Sequence, residues 1–309
     1  MDKLLLIDGN SLTYRAYFAS AFSPAGILRT KDGTAVNAVL TLNMMFNKLF
    51  RLYKPTHILV AFDAGKKTFR HKKLDSYKGG RNKTPDDLIT QFPLVKEMLD
   101  KWGIKHFEKS EIEADDIIAT LAKQFKNDIQ VSVVSSDKDL LQLVQKNIEV
   151  IMPQSGSKPN KIVTDSNFFE LNGYRPDQVV DIKGLVGDAS DNLPGVKGIG
   201  EKGAIKLLTA YDTLEGIYEN LDQHSKGIKE KLETSKEIAF LCKEIATLFY
   251  EVEVPFSLSD LAFSGAINQN LIDFFKQYEL NSLVRRFGGQ IEPEKEEENS
   301  QLSFDNLVL

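Results

Sequence analysis

Three apolar, β-branched runs each end in an aspartate: KLLLID over 3–8, HILVAFD over 57–63 and QVSVVSSD over 130–137. If the runs are parallel strands, Asp8, Asp63 and Asp137 share the carboxyl edge of a sheet, where open α/β folds place their sites. Glu113, Asp115 and Asp116, in EIEADDIIATLA, open a stretch whose Ile117, Ile118, Leu121 and Phe125 have helical spacing. Asp139 follows Asp137 by two residues, and Asp188 and Asp191 stand three apart, able to share a helical face or turn. Two like charges about 4 Å apart repel by ~4 kcal/mol at an effective dielectric of about 20. A cluster of this kind has to take up protons or cations. No His or Cys accompanies these acids, and an all-oxygen shell suits Mg²⁺ or Mn²⁺. So many carboxylates exceed the needs of one Mg²⁺. Two divalent ions ~3.5–4 Å apart can activate a water and stabilise the leaving oxygen of a phosphodiester. Each acid alone has a plainer role. Asp and Glu offset the dipole in a helix's first turn, and Ser110 with Glu113 fits a capping box. Three strands ending in Asp at one edge outweigh that reading.

Directly after Asp63, residues 66–83 read KKTFRHKKLDSYKGGRNK: eight Lys or Arg against one Asp, with Phe69 and Tyr77 interleaved. A charge run is usually a solvated loop. Beside a metal site, cations neutralise phosphates and an aromatic can stack on an unpaired base, which predicts strand binding that weakens steeply with salt. Farther on lies GDASDNLPGVKGIGEKG, residues 187–203. Its GIGEKG fits the dinucleotide fingerprint G-x-G-x-x-G, but DNLP rather than a strand precedes it, and no P-loop pattern is present. PDQVVDIKGLVGD before it and EKGAIKLLTAY after it both read as helices. The expected motif is therefore a helix–hairpin–helix whose amides hold a duplex backbone without reading sequence. A glycine-rich turn with no ligand is the plainer alternative.

The strands that carry the acids alternate with periodic stretches near 34–53, 87–102 and 114–126, which argues an α/β fold with a mainly parallel sheet. After about residue 165 the strands fade and helices dominate. The expected organisation is a core over 1–175, with the basic arch at about 64–92, a helical subdomain over 176–289 and an acidic, disordered tail over 290–309. Net charge is −5, but the tail holds five Glu, one Asp and one Lys, leaving 38 charges of each sign elsewhere. A neutral body can hold an acidic pocket and a basic rim. Cys242 sits in an apolar periodic stretch and reads as a core residue without a disulfide partner. Neither a signal peptide nor an apolar span of ~20 residues is visible, and the expectation is a cytoplasmic protein.

The chain resembles the bacterial 5′ nucleases, the 5′→3′ exonuclease domain of DNA polymerase I and the flap endonucleases. The likeness runs from residue 2 to about 288. Five blocks carry it in family order: LLLIDGNSLTYRAYFA, AFDAGKKTFRHKKLDSYKGGR, EIEADDIIATLA, SSDKDLLQLV and GLVGDASDNLPGVKGIGEKGAIKLL. The resemblance implies a PIN-like core with a C-terminal helix–hairpin–helix. It implies two Mg²⁺, replaceable by Mn²⁺, on Asp8, Asp63, Glu113, Asp115, Asp116, Asp137, Asp139, Asp188 and Asp191. It makes Lys78 the residue that steers the scissile phosphate, with Arg81 and Tyr77 beside it. Arg15 and Arg70 match further DNA contacts. Gly195, Gly198 and Gly200, with Lys202, match the hairpin that grips duplex, with a K⁺ ion there. The family cleaves 5′ flaps, nicks and 5′ ends in DNA and in RNA primer junctions, during Okazaki fragment processing and repair. The sequence ends at residue 309 without a polymerase domain, so the expectation is a free-standing monomer working with a separate polymerase. QLSF in the tail resembles the Gln-Leu motifs that bind the sliding clamp. Two other readings use the same residues: a DNA-junction binding protein without turnover, and a PIN-type ribonuclease, which needs no hairpin.

Overall fold

Strand β1 (Lys3–Asp8) is apolar at almost every position, and successive side chains of a strand point to opposite faces. Leu4 and Leu6 therefore enter one hydrophobic cluster and Leu5 and Ile7 another, and all four are fully buried. A strand of this kind needs cover on both faces, as parallel sheets do. The computed structural model, which describes residues 2–22, 26–65, 67–154 and 158–288, supplies it. Around β1 lie β2 (His57–Ala61), β3 (Lys105–Phe107), β4 (Gln130–Val134), β5 (Ile148–Met152) and β6 (Lys161–Val163), in the order β3-β2-β1-β4-β5-β6. Every pairing is parallel except β5 with β6.

On the Leu5 face pack α1 (Gly9–Ala21), α2 (Asn37–Tyr53) and, beyond the short α3 (Phe69–Lys73) and α4 (Asp86–Ile89), α5 (Gln91–Trp102). On the Leu4 face packs α6 (Ala114–Phe125), whose Ile117, Ile118 and Leu121 are fully buried. The same cluster continues through α7 (Phe168–Asn172), α8 (Val179–Val186), α9 (Glu201–Tyr211), α10 (Leu214–Glu219), α11 (Lys226–Thr234) and α12 (Lys236–Ala246). The helical region is thus seated directly on one sheet face.

The expected helical unit of 176–289 is not one body. Phe263 donates its N–H to Thr56 O at 2.8 Å, and its ring lies 4.9 Å from that of Phe50. Helices α13 (Gln269–Gln277) and α14 (Asn281–Arg286) then join the opposite cluster through Leu271, Phe274, Phe275, Leu283 and Val284. Their apolar stripes return the chain to the α/β core, so the last two helices of the helical region pack with the core helices on the Leu5 face. The tail of 290–309, with its expected disorder and its clamp motif, lies outside the described residues, as does Lys66 of the basic segment.

Helix α8 ends at Gly187 (φ +77), and Gly195 (φ +61) packs against it. A Cβ on Gly195 would lie 2.3 Å from the Gly187 nitrogen, which forces backbone to move. Gly195→Ala is expected to cost ~2 kcal/mol or more in urea unfolding. Gly227→Ala, in open space near the start of α11, leaves stability unchanged or slightly higher.

Candidate metal centre

Asp8 ends β1, Asp63 lies just past β2, Asp137 just past β4, and Asp115 sits in the first turn of α6. The parallel register brings all four to the carboxyl edge of the sheet. Local hydrogen bonds aim them. Asp8 caps α1 by accepting from Ser11 N (2.9 Å) and also accepts from Ser135 Oγ (2.7 Å). Asp63 accepts from Ala114 N at 2.8 Å, tying β2 to the start of α6, and Asp137 accepts from Asp139 N at 2.8 Å. The helix cap at Asp8 therefore coexists with the cluster instead of replacing it.

Burial and neighbouring charge raise Asp8, Asp63 and Asp115, and also Asp139, which burial and then Asp137 push up to about 7 despite Lys183. Burial, then the charges of Asp63 and Asp137, pushes Asp8 up to about 7. Asp63 is raised by burial and by Glu113, while Lys78 and Arg81 pull it back down. Asp115 stands well above the usual carboxylate range, first through burial and then through Asp137, Asp8 and Asp63. Among the described residues no three acids close into a ready-made coordination shell, as mutual repulsion dictates. The donor set nevertheless fits hard divalent cations: oxygen only, sharing one edge, and destabilised by its own charge.

The other predicted acids carry cations already. Glu113 is held below the usual range despite its burial, by Lys78 (Nζ 2.9 Å) and Arg70 (3.4 Å). Asp191 pairs with Arg81 at 2.7 Å and accepts from Tyr77 OH at 3.1 Å. Lys183 bridges Asp139 and Asp188, and Asp188 also accepts from Ser190 N (2.7 Å) and Oγ (2.6 Å). Asp188 and Asp191 share one turn, closed by paired backbone bonds between Asp188 and Leu193, yet they face different partners.

Four expectations need correction. Asp116, expected as a metal ligand, is fully buried, and Arg70 takes both its oxygens at 2.7 Å, with Phe249 N adding a bond at 2.9 Å. Arg70, expected on DNA, is only 2% exposed, and besides Asp116 and Glu113 it donates to Ile245 O (2.8 Å) and Thr247 O (3.1 Å). Tyr77 is no stacking platform: it is buried with Leu193, Cys242 and Ile245. Gly195 is buried against the α8 terminus, whereas Gly198, Gly200 and Lys202 are exposed. The basic segment is consequently a docked element, not a free loop. Its Lys78 adopts φ +56, donates its N–H to Asp191 O at 3.0 Å, and keeps its side chain 17% exposed above the acids. Side chains rarely adopt that backbone conformation, and strain of this kind collects at functional sites.

Arg15 lines a cleft of about 400 Å³ with Ser136, Lys138 and Lys161. Lys138 and Lys183 are absent from the sequence-based set. Lys138 sits between two predicted acids, and Lys183 interrupts the apolar run VVDIKGLV. A lone lysine among apolar helix residues was the available signal.

Linkage gives a first expectation for this edge. Carboxyls raised in the folded state bind more protons there than in the unfolded chain, so their stabilising protons are lost as pH rises from about 4 to about 7. Glu113 and Asp188 are shifted the other way, and their contributions disappear only at lower pH. In EDTA the protein should melt at lower temperature at pH 8 than at pH 5.5. A divalent cation should raise the melting temperature more at pH 8.

A family model described as "5'-3' exonuclease, N-terminal resolvase-like domain" matches residues 3–173, and one described as "5'-3' exonuclease, C-terminal SAM fold" matches 174–269. DNA polymerase I of Bacillus subtilis (strain 168) is 44% identical over 288 residues, 93% of this chain and 32% of the polymerase. The chain thus spans about a third of the length of the curated relatives it matches. A bacteriophage T5 5'-exonuclease structure with bound zinc superposes with a TM-score of 0.64 at 22% identity, covering 90% of this chain and 98% of its own. A bacteriophage T5 flap endonuclease complex with DNA and metal ions gives 0.65 at 20% identity, with 92% and 96% covered. At such identities the likeness is one of fold: a PIN-like α/β core with a helical C-terminal unit.

Proposed function

This chain belongs to the 5'-3' exonuclease family, and from that premise we propose that it is a structure-specific 5′ nuclease for DNA. It hydrolyses phosphodiesters at 5′ flaps, nicks and 5′ ends, in DNA and RNA primer, using two Mg²⁺ with Mn²⁺ as a substitute. The observation that carries this reading is the gathering of Asp8, Asp63, Asp115 and Asp137 at one sheet edge, the first three raised by burial and neighbouring acids, with Lys78 and Arg81 above them. Bound divalent cations supply Lewis acidity and charge neutralisation at the phosphodiester. The chain's own contribution is placement. Lys78 offers a positive charge to the scissile phosphate where negative charge develops, and Arg81 stands beside it. Glu113 and Asp191 keep both side chains aimed at that edge.

The exposed Gly198, Gly200 and Lys202 support a hairpin that grips duplex backbone, with K⁺ as its ion. Asp139, Asp188 and Asp191 support the second cation. Further parts of the reading are a separate or attached polymerase, a monomeric cytoplasmic chain, and sliding-clamp binding by the tail. The test is cleavage of 5′-labelled flap, nicked and blunt duplexes with Mg²⁺ or EDTA. Flap cleavage abolished by EDTA is expected. Binding without cleavage under both conditions would favour a junction-binding protein, and cleavage confined to RNA flaps would favour a ribonuclease.

A further inference from the structure

Two buried cations cross from one part of the fold to another, and they are built differently. Arg70 grips Asp116 with two parallel bonds, donates to two backbone carbonyls, lies 3.4 Å from Glu113, and is 2% exposed. A planar guanidinium held by four hydrogen bonds in one fork is a fixed joint. Lys183 reaches from α8 to the sheet edge and sets one ammonium between Asp139 and Asp188, with its side chain 11% exposed. An ammonium is a point charge on a flexible stem, and can leave without breaking a geometric fork.

What surrounds Lys183 would survive its departure. Asp188 remains oriented by Ser190 N and Ser190 Oγ. Asp139 remains in place through its N–H bond to Asp137 Oδ1 at 2.8 Å. The Asp188 carboxylate is therefore aimed without the lysine, the Asp139 backbone is fixed by its own turn, and the lysine contributes charge.

We propose that Lys183 is a displaceable internal counter-ion: it neutralises Asp139 and Asp188 in the metal-free protein, and a divalent cation binding between them must expel its ammonium. The inference rests on the reading of these acids as cation ligands. Its physical basis is competition for the same lone pairs, in which an ion of twice the charge wins at sufficient concentration. A resident monovalent charge holds the acids together without metal, and it also lowers the metal's affinity there. Occupancy of the second position would then require higher cation concentrations than the Asp8–Asp63–Asp115–Asp137 edge, which has no such lysine bridge among the described residues.

The test is calorimetric titration of the DNA-free protein with Mg²⁺, comparing the parent with Lys183→Met and Lys183→Arg. The weaker of the parent's two binding events is expected to tighten by about tenfold or more in Lys183→Met. Lys183→Arg, which keeps the charge, should not tighten it. A merely structural lysine predicts weaker binding in Lys183→Met, and unchanged or weaker binding overturns the proposal. A readout on the parent protein does not depend on any variant folding. Acetylation of Lys183 by an N-hydroxysuccinimide ester, followed by mass spectrometry, should be several-fold faster in saturating Mg²⁺ than in EDTA. Lys226, with its side chain 92% exposed, serves as the reference whose rate stays constant. Equal Lys183 rates, in a protein that binds Mg²⁺, sink this inference and leave the proposed function standing. Absence of saturable Mg²⁺ binding in the parent overturns both.

Discussion

Asp115→Asn should lower Mg²⁺-dependent flap cleavage by roughly 10³-fold, while DNA affinity measured in EDTA is kept or raised. The same substitution should make the metal-free protein more stable, by on the order of 1 kcal/mol or a few degrees of melting temperature. The two effects share one cause. Asp115 forms no hydrogen bond or ion pair with the described residues; burial and the charges of Asp137, Asp8 and Asp63 act against its charged form, and Lys78 offsets only part of that. An isosteric amide removes that repulsion and leaves the packing of α6 intact. It also removes the charge that a cation needs. Asp63→Asn is a useful contrast, because Asp63 accepts from Ala114 N and its loss loosens the α6 start as well. A side chain that destabilises the protein and supports turnover is the pattern expected of a site shaped for a ligand. The checks are initial rates on a 5′-labelled flap, binding by anisotropy, and thermal melts in EDTA.

Arg70→Ala should cost about 3–5 kcal/mol of stability in urea unfolding, the largest loss among the surface-remote substitutions considered. It strips the counter-ion from Asp116, which has no exposure, and leaves Ile245 O and Thr247 O without donors. Arg70 lies on α3, Asp116 on α6, and Ile245 on α12, so one guanidinium joins the basic segment, the core and the helical unit. Arg70→Lys should recover only part of the loss, because an ammonium cannot reproduce the paired bonds. The double variant Arg70→Met with Asp116→Leu should be more stable than Arg70→Ala, since no unpaired buried charge remains. Equal stability of Arg70→Ala and the parent would mean that Asp116 finds another counter-ion.

Much of the site was legible because strand ends and acids coincide in the sequence. A parallel sheet converts three runs ending in Asp into one edge, and the helical spacing of Ile117, Ile118 and Leu121 placed Asp115 at the start of α6. The strands β3, β5 and β6 escaped notice: three residues such as KHF carry no periodicity, and IEVIM in β5 is a short apolar run that periodicity alone does not assign. The capping at α6 was offset by one turn: Asp116 accepts from Glu113 N at 3.4 Å, and Glu113 rather than Ser110 is the cap. What sequence could not supply is the pairing of charges across distance. Arg70 meets Asp116 and Lys183 meets Asp139 only because separate elements pack together, so residues of one type, Asp115 and Asp116, take opposite roles in adjacent positions. The return of α13 and α14 to the core had the same origin. Their apolar stripes were visible, but nothing in them names the face they cover.

The most direct test of the central claim, that the sheet-edge carboxylates hold divalent cations, is a calorimetric titration of the DNA-free protein with Mn²⁺ at pH 7.5, beside Asp115→Asn. The expectation is saturable binding of about two ions by the parent, with the tighter event lost or sharply weakened in the variant. Identical titrations of parent and variant, or no saturable binding by either, would contradict it.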